Sequence, residues 1–260
     1  MSVTSVLFIP DRFKDYRMWH DIPDRLQGHA EVIHLDQHEP VPWTADSTQF
    51  VAAVRRLASG GSFSIVAAAG QAAGLAVALA EAGVARGLVF FQPVLDSIPD
   101  DLDLSSLDLA DLDPHDWLDP FAPMVDAVSE PDPVRRRDIL VQIIRDTAGP
   151  GRDPEQLELE IAMTADHAEE FFAHLQAATR AAADGHEWPR PPRLGRPWID
   201  RLADLAVPVV AVGTGPFVGA VAGRARNAEI VVAAGNGGMA PASDRTLAAE
   251  ALLRTVDRVS

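Results

Sequence analysis

Apolar positions along this chain fall into two patterns, short continuous runs and helix-spaced stripes, which is how buried strands alternating with amphipathic helices read. Ser5-Val6-Leu7-Phe8-Ile9 is one continuous run, closed by the loop Pro10-Asp11-Arg12. Ala30 to Asp36 is a second, with His34 and Asp36 at its end, where strand-end polarity and a functional role both remain open. Thr44 to Ser59 sets Phe50, Val51, Val54 and Leu57 on one side of a helix. The run from Ser64 to Ala69 turns at Gly70 and continues through Gln71, Ala72, Ala73 and Gly74 into an alanine-rich helix. Gly87 to Pro93 and Val207 to Gly213 are further buried runs, and another strand begins at Ala228. Stripes mark helices at Val134–Thr147 (Ile139, Ile143), at Pro154–Ala183 as one helix or two (Leu157, Ile161, Phe171, Leu175), and at Thr246–Val259, with Leu247, Ala251, Leu252 and Val256 facing inward. Strands alternating with helices predict an α/β protein with a mostly parallel, doubly wound sheet.

The pattern breaks after residue 93. Nine aspartates between Asp96 and Asp119 are interleaved with leucines in a run no core strand could hold. The glycine turn and terminal glutamate of a calcium loop are missing, so the run reads as a solvated acidic face. Residues 94–204 are therefore expected to form a mostly helical insertion between two parts of one core, 1–93 and 205–260.

Composition narrows the function. With 260 residues, 47% of them hydrophobic, the chain can bury a full core. A net charge of −16 argues against nucleic acid and anionic membranes as partners. There are no cysteines, which removes disulfides and a cysteine nucleophile. The first residues carry no basic stretch and too short an apolar run for a signal peptide, so a cytoplasmic protein is expected. No dinucleotide fingerprint, phosphate loop or metal-ligand cluster is legible and the eight histidines are scattered, so neither cofactor nor metal is expected. The partner expected is a small molecule; a homodimer is possible. Arg-rich, Lys-poor usage, with Lys14 the one lysine, hints at a GC-rich bacterial genome.

The strand-turn-helix around Gly70 resembles the nucleophile elbow of the α/β-hydrolase superfamily, with small residues Ala68, Ala72 and Ala73 about a strained turn. Other segments follow in the family's order. Met18-Trp19 resembles the start of its first helix, which sets Pro10-Asp11 on the His-Gly pair of the oxyanion loop; Val207-Pro208-Val209 resembles a core strand signature; Gly235-Asn236-Gly237-Gly238-Met239-Ala240-Pro241 resembles Gly-x-Gly-His-Met-x-Pro. The resemblance implies an α/β-hydrolase fold with a helical cap over the site. It also implies an empty triad: Gly70 replaces the nucleophile, Gly238 the histidine, and Thr214 to Phe217 offers no carboxylate.

The resemblance thereby implies no serine hydrolysis, since it leaves neither nucleophile nor base at the triad positions. A carboxylate at the mouth of an oxyanion hole, Asp11, is a further departure, because it would repel the charge the hole stabilises. If buried, Asp11 would be the site's general acid or base, although a loop-capping aspartate is the plainer reading. The Gln71 amide is expected to point into the site from a helix N-terminus. Arg12, Gly70, Gln71, Gln92, Trp188, Asn236 and Gly238 are the candidate substrate-binding residues; Trp188 and Trp117 would line an apolar pocket or anchor the cap. Two functions fit: a non-hydrolytic enzyme that folds an apolar small molecule for cyclisation, dehydration or isomerisation, or a catalytically inactive binding protein or partner subunit. Ser62 and Ser64 stand at the wrong end of their strand to be nucleophiles.

Overall fold

The computed structural model describes residues 4–38, 47–59, 61–95, 127, 130–147, 153–183, 196–213, 216–232 and 242–259. Six strands carry the described core: β1 (Ser5–Ile9), β2 (Glu31–His34), β3 (Ile65–Ala69), β4 (Leu88–Phe91), β5 (Val209–Gly213) and β6 (Ala228–Val232). All pair in parallel, in the order β2-β1-β3-β4-β5-β6. Parallel strands are joined by crossovers that cover both faces, so their side chains are apolar in both directions. That is why β3, β4 and β5 read as unbroken apolar runs, each buried along its whole length.

The helices of the described residues are α1 (Ile22–Arg25), α2 (Ser47–Leu57), α3 (Ala73–Glu81), α4 (Pro133–Thr147), α5 (Pro154–Asp166), α6 (Ala168–Ala183), α7 (Trp198–Arg201), α8 (Pro216–Arg224) and α9 (Ala242–Val259). Phe50 and Val54 of α2 are buried and Val51 and Leu57 half-buried, as their spacing predicts. On α9 the inward side holds Ala251, Leu252 and Val256, but Leu247 is 38% exposed, a correction to the expected stripe. Ala248 takes its place inside, because a repeat of 248, 252 and 256 keeps a four-residue step on one side of the helix.

The chain divides into two compact units. The first comprises Met1–Arg12, Trp19–Ser106 and Pro191–Ser260 and contains the sheet. Its core runs from Leu7 and Ile9 through Val66, Ala68 and the buried length of α3 to Trp198 and Val209. The second comprises Phe13–Met18 and Leu107–Arg190, with α4, α5 and α6. There Leu140, Ala168 and Phe172 form the centre. Asp153 caps α5 by accepting from the Glu155 amide at 2.9 Å, with Pro154 at the first helical position. Residues 13–18 are fastened to α5 and α6. Phe13 meets Phe171 edge-on at 5.4 Å, Lys14 donates to Thr164 at 3.3 Å, and Arg17 bridges Asp15 at 2.5 Å and Asp166 at 2.6 Å. The acidic run of 96–119 lies outside the described residues.

Candidate active site

Strand order fixes where a site can form. The chain steps from β1 outward to β2, then returns across β1 to β3 and proceeds the other way, so β1 and β3 flank the point where the winding reverses. Beyond the carboxyl ends of two such strands the connections diverge and leave a crevice. Register decides which residues meet there. Ile9 lies opposite Ala68, so two residues further on Asp11 faces Gly70.

The backbone at Gly70 has φ of +51°, the left-handed turn that carries the chain from β3 to α3. Its amino-acid type matters for a second reason. A Cβ built at position 70 would lie 2.2 Å from Cγ of Asp11 and 2.3 Å from each of its carboxylate oxygens. The Asp11 carboxylate therefore fills the space in which the side chain of residue 70 would begin. It is held there by two amides: Oδ1 accepts from the Gln71 N–H and from the Arg12 N–H, each at 2.8 Å. Two backbone donors converging on one oxygen, one of them from the residue after the elbow at a helix N-terminus, is the arrangement of an oxyanion hole. The Asp11 carboxylate thus lies against Gly70 and takes both amides through one oxygen. The Gln71 amide gives its hydrogen to Asp11. Arg12 takes part through its backbone N–H.

The neighbouring strand ends are closed tightly. The Gly70 carbonyl accepts from the Val94 amide at 3.0 Å, and the Gln92 amide donates to the Val212 carbonyl at 2.9 Å. Gln92, half-buried with φ of +45°, lays its side chain over Gly213: a Cβ there would be 2.8 Å from Cδ of Gln92. Gln92 is thus a cap on the end of β5. Beneath the site Trp19 is buried between Phe8, at 4.9 Å, and Phe91, at 5.1 Å. Trp198 packs on Phe90 and approaches α3 at Gly74, where a Cβ would lie 3.3 Å from its ring.

Other candidates fall elsewhere. His34 packs against Phe8 at 5.5 Å, and burial pulls its pKa below the ordinary value although Asp36 pulls it up. Ser64 is fully buried at the start of β3 and accepts from the Ser5 amide at 3.2 Å and from Arg86 at 2.8 Å. Its hydroxyl joins strands and is remote from the elbow end of β3. Trp117, Trp188, Thr214, Gly215, Asn236 and Gly238 lie outside the described residues. Among the described residues no cluster of three metal-ligating side chains is present and no helix is long and apolar enough to cross a membrane.

Sequence reasoning missed the occupation of the hole and the pairing of Gln92 with Gly213. A signal for the first existed. The elbow lacks a side chain where one is expected, and the facing loop carries one where a glycine is expected, so the two departures compensate in volume.

No protein-family model and no curated protein matches the chain. Solved structures do. MenH from S. aureus is similar over 100% of this chain and 96% of its own, at 13% identity and a TM-score of 0.62. An esterase from Rhodococcus is similar over 99% and 92%, at 14% identity and a TM-score of 0.62. A haloalkane dehalogenase from Agrobacterium tumefaciens is similar over 100% and 91%, at 16% identity and a TM-score of 0.61. These are α/β-hydrolase-fold proteins, and the likeness is one of fold.

Proposed function

We propose that this chain, an α/β-hydrolase-fold protein, is a non-hydrolytic enzyme that holds an apolar small molecule beside one fixed carboxylate and catalyses its cyclisation, dehydration or isomerisation. The observation that carries the reading is the Asp11 carboxylate standing in the space of the missing side chain at Gly70, fixed by the Gln71 and Arg12 amides. An ordinary hydrolase places a nucleophile at that point. Here the group at that point comes from the facing loop, and the resemblance sets Gly238 where the family's histidine would stand to release an acyl ester. A carboxylate held at a known point can take a proton from one atom and return it to another. Holding a flexible substrate in a reactive shape contributes roughly 7–11 kcal/mol where the bound conformer approaches attack geometry. Gln92, Asn236 and Gly238 are the further substrate-binding candidates in this reading, without cofactor or metal. The setting is the cytoplasm of a bacterium, in secondary metabolism, with neither nucleic acid nor membrane as partner.

A second reading is favoured by the same contact. Both amides of the hole are satisfied within the protein, which suits a pseudohydrolase that binds a ligand or subunit and transforms nothing. Native mass spectrometry after exposure to a host metabolite extract separates the two. For an enzyme a retained compound changes mass or chromatographic position, and Asp11→Asn retains it unchanged. For a carrier, wild type and Asp11→Asn retain the same unaltered compound. Stoichiometric labelling by a fluorophosphonate would overturn both.

A further inference from the structure

We propose that the outer edge of β6 docks a second copy of this chain, the two β6 strands pairing antiparallel about a two-fold axis that passes at Ile230. This docking is separate from the chemistry at Asp11. β6 ends the described sheet beyond β5, and the register decides which of its backbone groups are already used. The Val209 amide donates to the Asn227 carbonyl, and Val209 lies opposite Ala228. Residues 227, 229 and 231 therefore turn their N–H and C=O groups to β5, and those of Ala228, Ile230 and Val232 point the other way. Among the described residues no strand meets them there. Natural edges are usually blunted by a lysine, a proline or a bulge, and the side of β6 that carries Ala228, Ile230 and Val232 has no such device. Instead Ile230 is 44% exposed and Val232 69%. Phe217 on α8 and Leu247 on α9, the described helices before and after β6, are exposed too.

Charge and shape select a second copy as the occupant. On the other face of β6, Glu229 accepts from Arg254 and Arg258 of α9, and Arg254 also reaches Glu250 one turn back at 3.8 Å. Glu229, Glu250 and Asp257 stand against Arg254 and Arg258, so acids and bases are nearly matched here in a chain whose net charge is −16. Repulsion between two such chains is least where this edge meets its own copy. The row is also complementary to itself. Leu247, Glu250, Arg254 and Arg258 share the side of α9 that faces Glu229, at steps of three or four residues. A two-fold axis reverses one row against the other and brings Glu250 of each copy towards Arg254 of its mate. An open hollow beside the amino end of β6 is lined by Pro208, Asn227, Ala228, Glu229 and Arg258. Pairing centred on Ile230 sets Val232 of the second copy opposite Ala228, at that hollow. Ile230 then faces Ile230, and every opposed pair whose backbone groups point outward exchanges them, about six hydrogen bonds that join the two sheets into one.

The chain has no cysteine, so Ile230→Cys introduces a single thiol, placed on the axis. Opposed residues that exchange hydrogen bonds stand about 5.5 Å apart at Cα, within the span of a disulfide. Mild oxidation is expected to join this variant into a covalent dimer, whereas Val134→Cys on α4, at a position 64% exposed, stays single under the same conditions. Sedimentation equilibrium of the wild type should show a dimer. Ile230→Lys sets like charges against each other on the axis and should weaken it roughly tenfold or more. Val232→Pro removes an outward N–H that the second copy alone would use, should weaken the dimer in the same way, and serves if the lysine variant is poorly folded by circular dichroism. A wild type that stays monomeric leaves the edge to another occupant and overturns the inference. So does a dimer that both variants leave intact, or one whose Ile230→Cys form cross-links no faster than Val134→Cys.

Discussion

Position 70 and Asp11 share one volume, and each constrains what the other can be. A side chain at 70 would collide with the carboxylate at 2.2 Å in a backbone conformation that already disfavours one. Gly70→Ser is expected to cost about 1–3 kcal/mol in urea unfolding. Asp11→Gly loses two hydrogen bonds from backbone amides. The double variant restores the room that Gly70→Ser lacks, so its cost should fall short of the sum of the single costs by more than about 0.5 kcal/mol. Simple additivity would mean that the two side chains do not compete for the space. His34 supplies a separate prediction. Its folded pKa lies below the ordinary value through burial. The unfolded chain therefore takes up the proton first, and stability falls as pH drops below about 6.5 until the folded value is reached. His34→Gln should flatten that part of the pH profile of the unfolding midpoint.

At the scale of elements, legibility followed the kind of force involved. Strands buried on both faces and helices with one apolar stripe declare themselves in side-chain chemistry, so β1, β3, β4, β5 and α2 stand where the hydrophobic pattern predicts. The elbow was legible as a turn through small residues. The seat of the Asp11 carboxylate was not, because it follows from the register of β1 against β3, which no local pattern encodes. Nor did the sequence reveal that residues 13–18 attach to α5 and α6, since those contacts join positions about 150 apart. That attachment makes an acid-side prediction. Burial alone would raise the pKa of Asp15, but hydrogen bonds and charge from Arg17, with His167, hold it below its ordinary value. Its contribution is complete above the unfolded value of about 3.9 and is lost as pH falls through the folded one. Asp15→Asn should remove that acid-side loss from the unfolding midpoint. At the other end of the sheet, Ser64 takes hydrogens from both the start of β1 and Arg86, and Arg86 also reaches the Val259 carbonyl at 2.9 Å. Ser64→Ala leaves these donors short and should cost about 1–3 kcal/mol, with the Gln71 amide resonance unmoved.

The whole molecule carries a charge of −16, spread over 38 acidic and 22 basic residues. Like charges within about a Debye length repel, and the folded chain brings them closer than the unfolded one. Added sodium chloride is expected to raise the thermal midpoint at neutral pH; a midpoint that falls would show that ion pairs such as Arg17 with Asp15 and Asp166 outweigh the net repulsion. The shared volume at the elbow also has a historical reading. If a nucleophilic side chain once stood at position 70, the two replacements had one passable order. Aspartate arriving first would have met an occupied space, whereas glycine arriving first left a vacancy that aspartate then entered. On that premise the ancestor between them would have had neither group, and a relative in that intermediate state should leave the amides equivalent to those of Arg12 and Gln71 without a carboxylate to accept them.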